Sequence, residues 1–304
     1  MKETKIIINK IDTIFDAIYF FDKIIYVIDD DLVIDFSNAD FIRNHFISII
    51  GMGLEVVKKR GVDVEIIRPK SQKVLNSMKR INFLSVFCDE DNKDDTYKTM
   101  VKYTNIPLKN NSLILQEFTA YFFMQFMGKV GNLSPKLQKK ILQKIFELFS
   151  NVFRHSGSAL GLYCSGQFYP KQDKFNFTIV DNGITIRKNV NKYLSKDFIK
   201  NRSSLDKLLG KKFEPISAVE AIKWALINTN STTGEGGLGL SLLMELIKAS
   251  NGSIEIISGN GYYAIKDASE IVKELDKSFE GTIISIELNT HTGTYYFLKE
   301  EKND

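Results

Sequence analysis

Glu147, Asn151 and His155 recur at every fourth position of the string ELFSNVFRH, so on a helix their side chains form one row. A carboxylate, an amide oxygen and an imidazole on one face suit a hard cation. Mg²⁺ takes oxygen ligands and keeps several waters, so the Asn151 carbonyl together with nucleotide phosphates would hold it. Glu147, one turn away, could then orient or deprotonate an attacking water or hydroxyl. Alone, the row also describes a polar stripe on a half-exposed helix. A second string, Asp181-Asn182-Gly183, ends an apolar run. It reads as a common turn, or as a buried, ionised Asp181 that accepts from the amino group of adenine while Gly183 lets the backbone approach the ring. Guanine would face Asp181 with an acceptor, which favours ATP over GTP. The third string, GEGGLGL from Gly234 to Leu240, opens an amphipathic run. A glycine loop leading into a helix N-terminus offers free N–H groups to phosphates. It fits neither the Walker nor the dinucleotide-binding pattern. Leu238 and Leu240 would fix it to a core, which a free linker would not need. In this order the three strings describe a pocket for an adenine nucleotide and Mg²⁺.

The elements that must position these strings can be read from periodicity. In the first hundred residues, KIIYVI (23–28) reads as a strand, Asp29–Asp31 as a turn and LVIDFS as a second strand. A helix is expected from about Asp40 to Arg60 with Asp40 as N-cap and Gly61 as its stop, then a β-branched strand Val62–Ile67, then a helix Ser71–Arg80. The acidic, apolar-poor stretch 88–97 marks a boundary. Beyond it come helices at about Ser112–Gly128 and from Ser134 (N-cap) with Pro135 at the first helical position to about His155. Strands Leu160–Phe168 and Phe175–Val180 follow, the second ending at Asp181. The segment from Ile184 to Thr233 is rich in Lys, Asn and Ser, with one helical stretch near Ala218–Ile227, and reads as a lid. A helix Leu238–Ser250, a strand Ser253–Ile257 and an alternating strand after Gly281-Thr282 complete an α/β order. The division is 1–105 and 106–304.

Composition narrows the classes. With 304 residues, 43% hydrophobic and 26% charged, the chain has material for a core and for two domains. Every apolar run is interrupted well before the ~20 residues of a membrane span, and the N-terminus has no signal-peptide pattern, so a cytoplasmic protein is expected. Cys88 and Cys164 lack metal or redox spacing and read as small buried hydrophobes, and three histidines leave little room for a histidine metal centre. A net charge of +4, spread along the chain, gives no nucleic-acid footprint.

Over about 112–290 the three strings resemble the GHKL superfamily of histidine-kinase-like ATPases, which includes gyrase, Hsp-type chaperones, histidine kinases and mismatch-repair ATPases. The run E-x-x-x-N-x-x-x-H before Ser-Gly is most similar to the bacterial anti-sigma-factor serine kinases. The resemblance implies a Bergerat-type α/β sandwich in which Glu147 is the base, Asn151 the Mg²⁺ ligand, Asp181 the adenine contact and Gly183 part of the base pocket. Thr282 would support adenine through water, and Gly237 and Gly239 would belong to the phosphate loop. His155, Gly234, Gly236, Leu238 and Leu240 are grouped with these nucleotide-binding positions. Where the family reads G-x-G-L-G-L, this chain has Glu235 in the leading place, which shifts the expected lid hinge.

The stretch LVIDFSNADFIRNHFISIIGMGLEVVKKRGVDVEII resembles the STAS-type module of anti-sigma-factor antagonists. Its Asp-Ser-Ser-Gly acceptor is replaced by Arg43, Asn44, His45 and Phe46, leaving Ser37 as a candidate acceptor. The resemblance implies a first domain that recognises or restrains protein partners. A sensor histidine kinase is disfavoured by the lack of a span, and gyrase-like machines by the short stretch after Leu288. The expected protein is a Mg-ATP-dependent signalling regulator, an ATPase or a protein Ser/Thr kinase. Lys207, Lys211, Lys212 or Arg202 of the lid could approach the γ-phosphate. The alternative is a nucleotide-gated binding module with negligible turnover. No motif decides whether the chain forms a homodimer.

Overall fold

The computed structural model describes residues 2–88, 93–107, 112–127, 129, 132–155, 157–158, 160–201, 203, 210–227, 244, 247–248, 250–290 and 295–296. It is a mixed α/β protein. The first strand is β1 (Glu3–Ile7), followed by the two-residue β2 (Lys10–Ile11) and helix α1 (Ile14–Ile25). KIIYVI is therefore the end of a helix and its exit, not a strand. Thr13 and Asp16 form a capping box that starts α1, and Ile14, Ala17, Phe21 and Ile24 make its buried stripe. Tertiary burial of that stripe overrides the β-branched tail.

Strand β3 (Asp31–Asp35) runs parallel to β1 and to β5 (Asp63–Ile67), giving a three-stranded sheet. Between β3 and β5 lie β4 (Phe41–Ile42), a 3₁₀ turn at Asn44–Phe46, and α2 (Ile47–Lys58). Asp40 precedes a strand and does not cap α2, because residues 41–42 pair with β2 before the helix starts. Helices α3 (Gln72–Arg80) and α4 (Phe83–Cys88) follow, with Val74 and Met78 buried from α3.

Strand β6 (Met100–Ile106) joins the main sheet, so that sheet begins ahead of the 105/106 division. Helix α5 (Ser112–Met127) and the short β7 (Asn132–Leu133) lead to α6 (Pro135–His155). Ser134 Oγ accepts from the Leu137 N–H at 3.1 Å, the cap expected from Ser-Pro. Strands β8 (Leu162–Tyr169) and β9 (Lys174–Asp181) form a hairpin. Helices α7 (Ile186–Asn201) and α8 (Ala218–Leu226) occupy the segment expected as a lid. Two long strands, β10 (Ser253–Lys266) and β11 (Ser269–Asn289), turn at Asp267-Ala268, both in left-handed conformation. The main sheet has the order β10-β11-β9-β8-β6 with every neighbouring pair antiparallel. A short β12 (Tyr295–Tyr296) pairs with β7.

The main sheet is covered on both faces. Leu162, Phe175, Phe177, Ile179, Ile254 and Ile284 pack in one core with α5, α6, α7 and α8. Tyr163, Val180, Ile257 and Ile283, on the opposite face, share a second core with α1, α2 and the three-stranded sheet. The N-terminal unit is thus a layer on the back of the main sheet. Among the described residues no helix is long and apolar enough to cross a membrane. Neither cysteine is in a disulfide; Cys164 is buried and Cys88 half-buried.

Candidate functional site

The end of β9 carries a buried carboxyl. Asp181 is 3% exposed, and its Oδ1 accepts from the Gly183 N–H at 2.8 Å. Burial pushes its carboxyl up to about 7, against the smaller pull of that N–H, and among the described residues no cation takes part. A buried carboxyl without a countercharge is a functional-site signal.

Three neighbouring pieces hold it. Thr282 on β11 stands directly opposite Asp181 in the ladder. Gly281 precedes it at φ +125°, and a Cβ there would lie 2.0 Å from the Asp181 carbonyl oxygen, so only glycine lets the strands approach. Ser258 on β10 ties the pieces together. Its hydroxyl donates to Gly281 O at 2.9 Å, accepts from the Ile186 N–H at 2.9 Å, and sits 2.9 Å from Thr282 Oγ1. With Ser258's proton on Gly281, Thr282 must donate to Ser258, which leaves the Thr282 oxygen's lone pairs to accept. Sequence reasoning missed Ser258 and Gly281; the signals were a small hydroxyl inside an apolar strand and a glycine entering one.

The loop that follows the first string is bonded to the second. Glu147 is half-buried on α6, off the core stripe of Leu137, Ile141, Ile145 and Phe149, and accepts from Gln143 Nε2 at 3.0 Å. Asn151 and His155 lie on the last turn and a half of α6, with side chains outside the described residues. Directly after α6, Gly157 takes φ +54° beneath Ile184, and the Ser158 hydroxyl donates to Asn182 Oδ1 while accepting from the Leu160 and Gly161 N–H groups. The exit of α6 and the Asp-Asn-Gly turn are therefore one bonded unit.

Gly234, Gly236, Gly237, Leu238, Gly239 and Leu240 lie outside the described residues, as do Arg202 and Lys207. The expected lid begins as a packed helix: Ile186 and Val190 of α7 are buried, Thr185 Oγ1 accepts from the Lys188 N–H, and Asn191 exchanges two hydrogen bonds with the Ile216 backbone. Lys211 and Lys212 are exposed beyond it. Among the described residues no three His, Cys, Asp or Glu side chains cluster as a metal site. A site using one Asn oxygen and phosphates needs no such cluster. No protein-family model matches the sequence, and a comparison with curated proteins finds no match.

Proposed function

We propose that the chain is a Mg-ATP-binding regulatory protein with a histidine-kinase-like ATPase region at 106–304, which hydrolyses ATP or phosphorylates a partner protein on Ser or Thr. The observation that carries this reading is the buried Asp181 carboxyl, whose turn is bonded through Asn182 to Ser158, three residues past the helix bearing Glu147, Asn151 and His155.

The residues fit an adenine. Asp181 keeps acceptor capacity beyond the Gly183 N–H, and an exocyclic amino group is a donor. Thr282 offers an accepting oxygen beside it, as a bridging water requires. Bound Mg-ATP would supply a terminal phosphoryl group whose charge the metal partly neutralises. Asn151 would hold the metal. Glu147 would take the proton from water or from a partner hydroxyl, and the Gly234–Leu240 loop would present N–H groups to the phosphates. The N-terminal STAS-like layer would carry the partner-binding surface.

The test is calorimetric titration with Mg-ATP and Mg-GTP, alongside release of labelled γ-phosphate. ATP should bind and GTP should not, Asp181→Asn and Asn151→Ala should each weaken ATP by at least about tenfold, and Glu147→Ala should keep binding while losing turnover. ATP bound equally by wild type, Asp181→Asn and Asn151→Ala would sink the reading.

A further inference from the structure

Asp181, Thr282 and Ser258 stand in one line across the main sheet. Asp181 of β9 lies opposite Thr282 of β11, and Thr282 lies opposite Ser258 of β10, so their side chains form a cross-strand row on one face. A carboxyl is followed by two hydroxyls. Ser258 at the inner end is 0% exposed, and Thr282 beside it is 7% exposed.

The inner end fixes the protons of the row. Ser258 Oγ lies 2.9 Å from Gly281 O, and a carbonyl has no proton to offer, so the single hydroxyl proton of Ser258 goes there. Its two lone pairs are then filled by the Ile186 N–H, the first of α7, at 2.9 Å and by the Thr282 hydroxyl at 2.9 Å. Thr282 has thereby given up its only proton and keeps lone pairs alone. Asp181, when ionised, also only accepts, as it does from the Gly183 N–H. Toward a ligand the row presents acceptors and no donor. A water bridging Asp181 and Thr282 would direct one proton to each and have only its own lone pairs left for a base. The base edge that meets it must donate. A 6-amino group does so, whereas a 6-carbonyl sets lone pair against lone pair.

On the reading of the Asp181 turn as an adenine site, we infer that Ser258 sets base specificity without touching the base: by holding the Thr282 proton it makes Thr282 an obligate acceptor and so excludes 6-oxo purines. Ser258 is thus a positioning residue that acts through Thr282. Its removal releases the Thr282 hydroxyl to donate outward, and a bridging water then regains a proton for a carbonyl. Ser258→Ala also strands Gly281 O and the Ile186 N–H, but that loss falls on every nucleotide alike. The ratio of affinities separates the two effects.

Calorimetric titration of the full chain with Mg-ATP and with magnesium inosine triphosphate reads that ratio, at pH 8 so that Asp181, raised to about 7, is mostly ionised. Inosine carries the 6-carbonyl without guanine's 2-amino group. The parent should prefer ATP, and Ser258→Ala should shrink the preference about tenfold, the scale of one hydrogen bond. Thr282→Val should shrink it likewise, and the double variant should lose no more than either single one, since both act at the same oxygen. An unchanged ratio in Ser258→Ala, with both affinities falling together, would overturn the inference and leave Ser258 a structural tie, while ATP binding by the parent would keep the adenine reading alive. Additive losses in the double variant would overturn it too. Should Ser258→Ala fail to fold, Thr282→Val carries the test, and a preference that survives it overturns the inference. A parent that binds neither nucleotide sinks both the inference and the reading beneath it.

Discussion

Asp181 and His45 act on stability with opposite signs. The Asp181 carboxyl is raised from 3.8 to about 7, so the folded state holds its proton where the unfolded state has lost it. Its contribution is fully present below about pH 4 and is lost as pH rises through about 7. His45 is lowered from 6.5 to about 3, so its neutral ring favours the fold above pH 6.5, and that contribution is lost as pH falls toward 3. Between these limits the two slopes offset. Asp181→Asn, which keeps an acceptor for the Gly183 N–H, is expected to melt above the parent at pH 8, by up to about 4 kcal/mol. Below pH 6.5 its stability should fall more steeply than the parent's, a pattern that thermal unfolding across pH would read. The same carboxyl links pH to nucleotide binding. If adenine pairs with the ionised form, ATP affinity in titrations should drop as pH falls below about 7 and stay level above it.

Helix α2 shows how an element is fixed from outside its own sequence. No side chain within it caps its start; instead Ser165 on β8 accepts from the buried Ser48 N–H at 3.1 Å and donates to His45 O at 3.0 Å. Ser165→Ala strands the Ser48 N–H, while Ser48 Oγ still donates to His45 O at 3.3 Å, and should cost about 1–3 kcal/mol in urea unfolding. One turn further on, a Cβ on Gly51 would lie 2.4 Å from the Tyr103 ring, which Phe83, Phe87 and Tyr163 surround at 5.7, 5.8 and 6.1 Å. Gly51→Ala should therefore lower stability by about 1–3 kcal/mol, although alanine is the better helix former by about 1. Such long-range contacts explain what was legible. The Ser134-Pro135 start of α6, the strands β8 and β9 and the helices α3 and α5 follow from local caps and periodicity. KIIYVI failed because its burial in α1 depends on a stripe that starts upstream. Helix α7 was hidden by its lysines and asparagines, although Ile186, Val190, Leu194 and Phe198 recur at helical spacing. In the candidate site Asp181, Gly183 and Thr282 were readable as motif residues. Ser258 and Gly281 were not, since their roles exist only once β10 and β11 pair.

At the scale of the molecule, the two sequence units do not behave as beads on a string. Tyr163, Val180, Ile257 and Ile283 are buried in the same core as residues of α1, α2 and the three-stranded sheet. A chain of residues 93–304 alone should bind more of a hydrophobic dye, and elute as larger species in gel filtration, than the full chain. The β10–β11 hairpin strengthens this union. Tyr262 meets Phe15 at 5.2 Å and Phe279 meets Phe21 at 5.0 Å on α1, while Gly261 rests against Ala218 and Ile222 of α8. Its tip, Asp267-Ala268, is exposed and turns in left-handed conformation outside the ladder, which offers it to a protease. A single cut there would leave two fragments, each owning one strand of the ladder and each wedged between the layers. They should migrate as two bands in denaturing electrophoresis yet elute together under native conditions, and full activity should survive the scission.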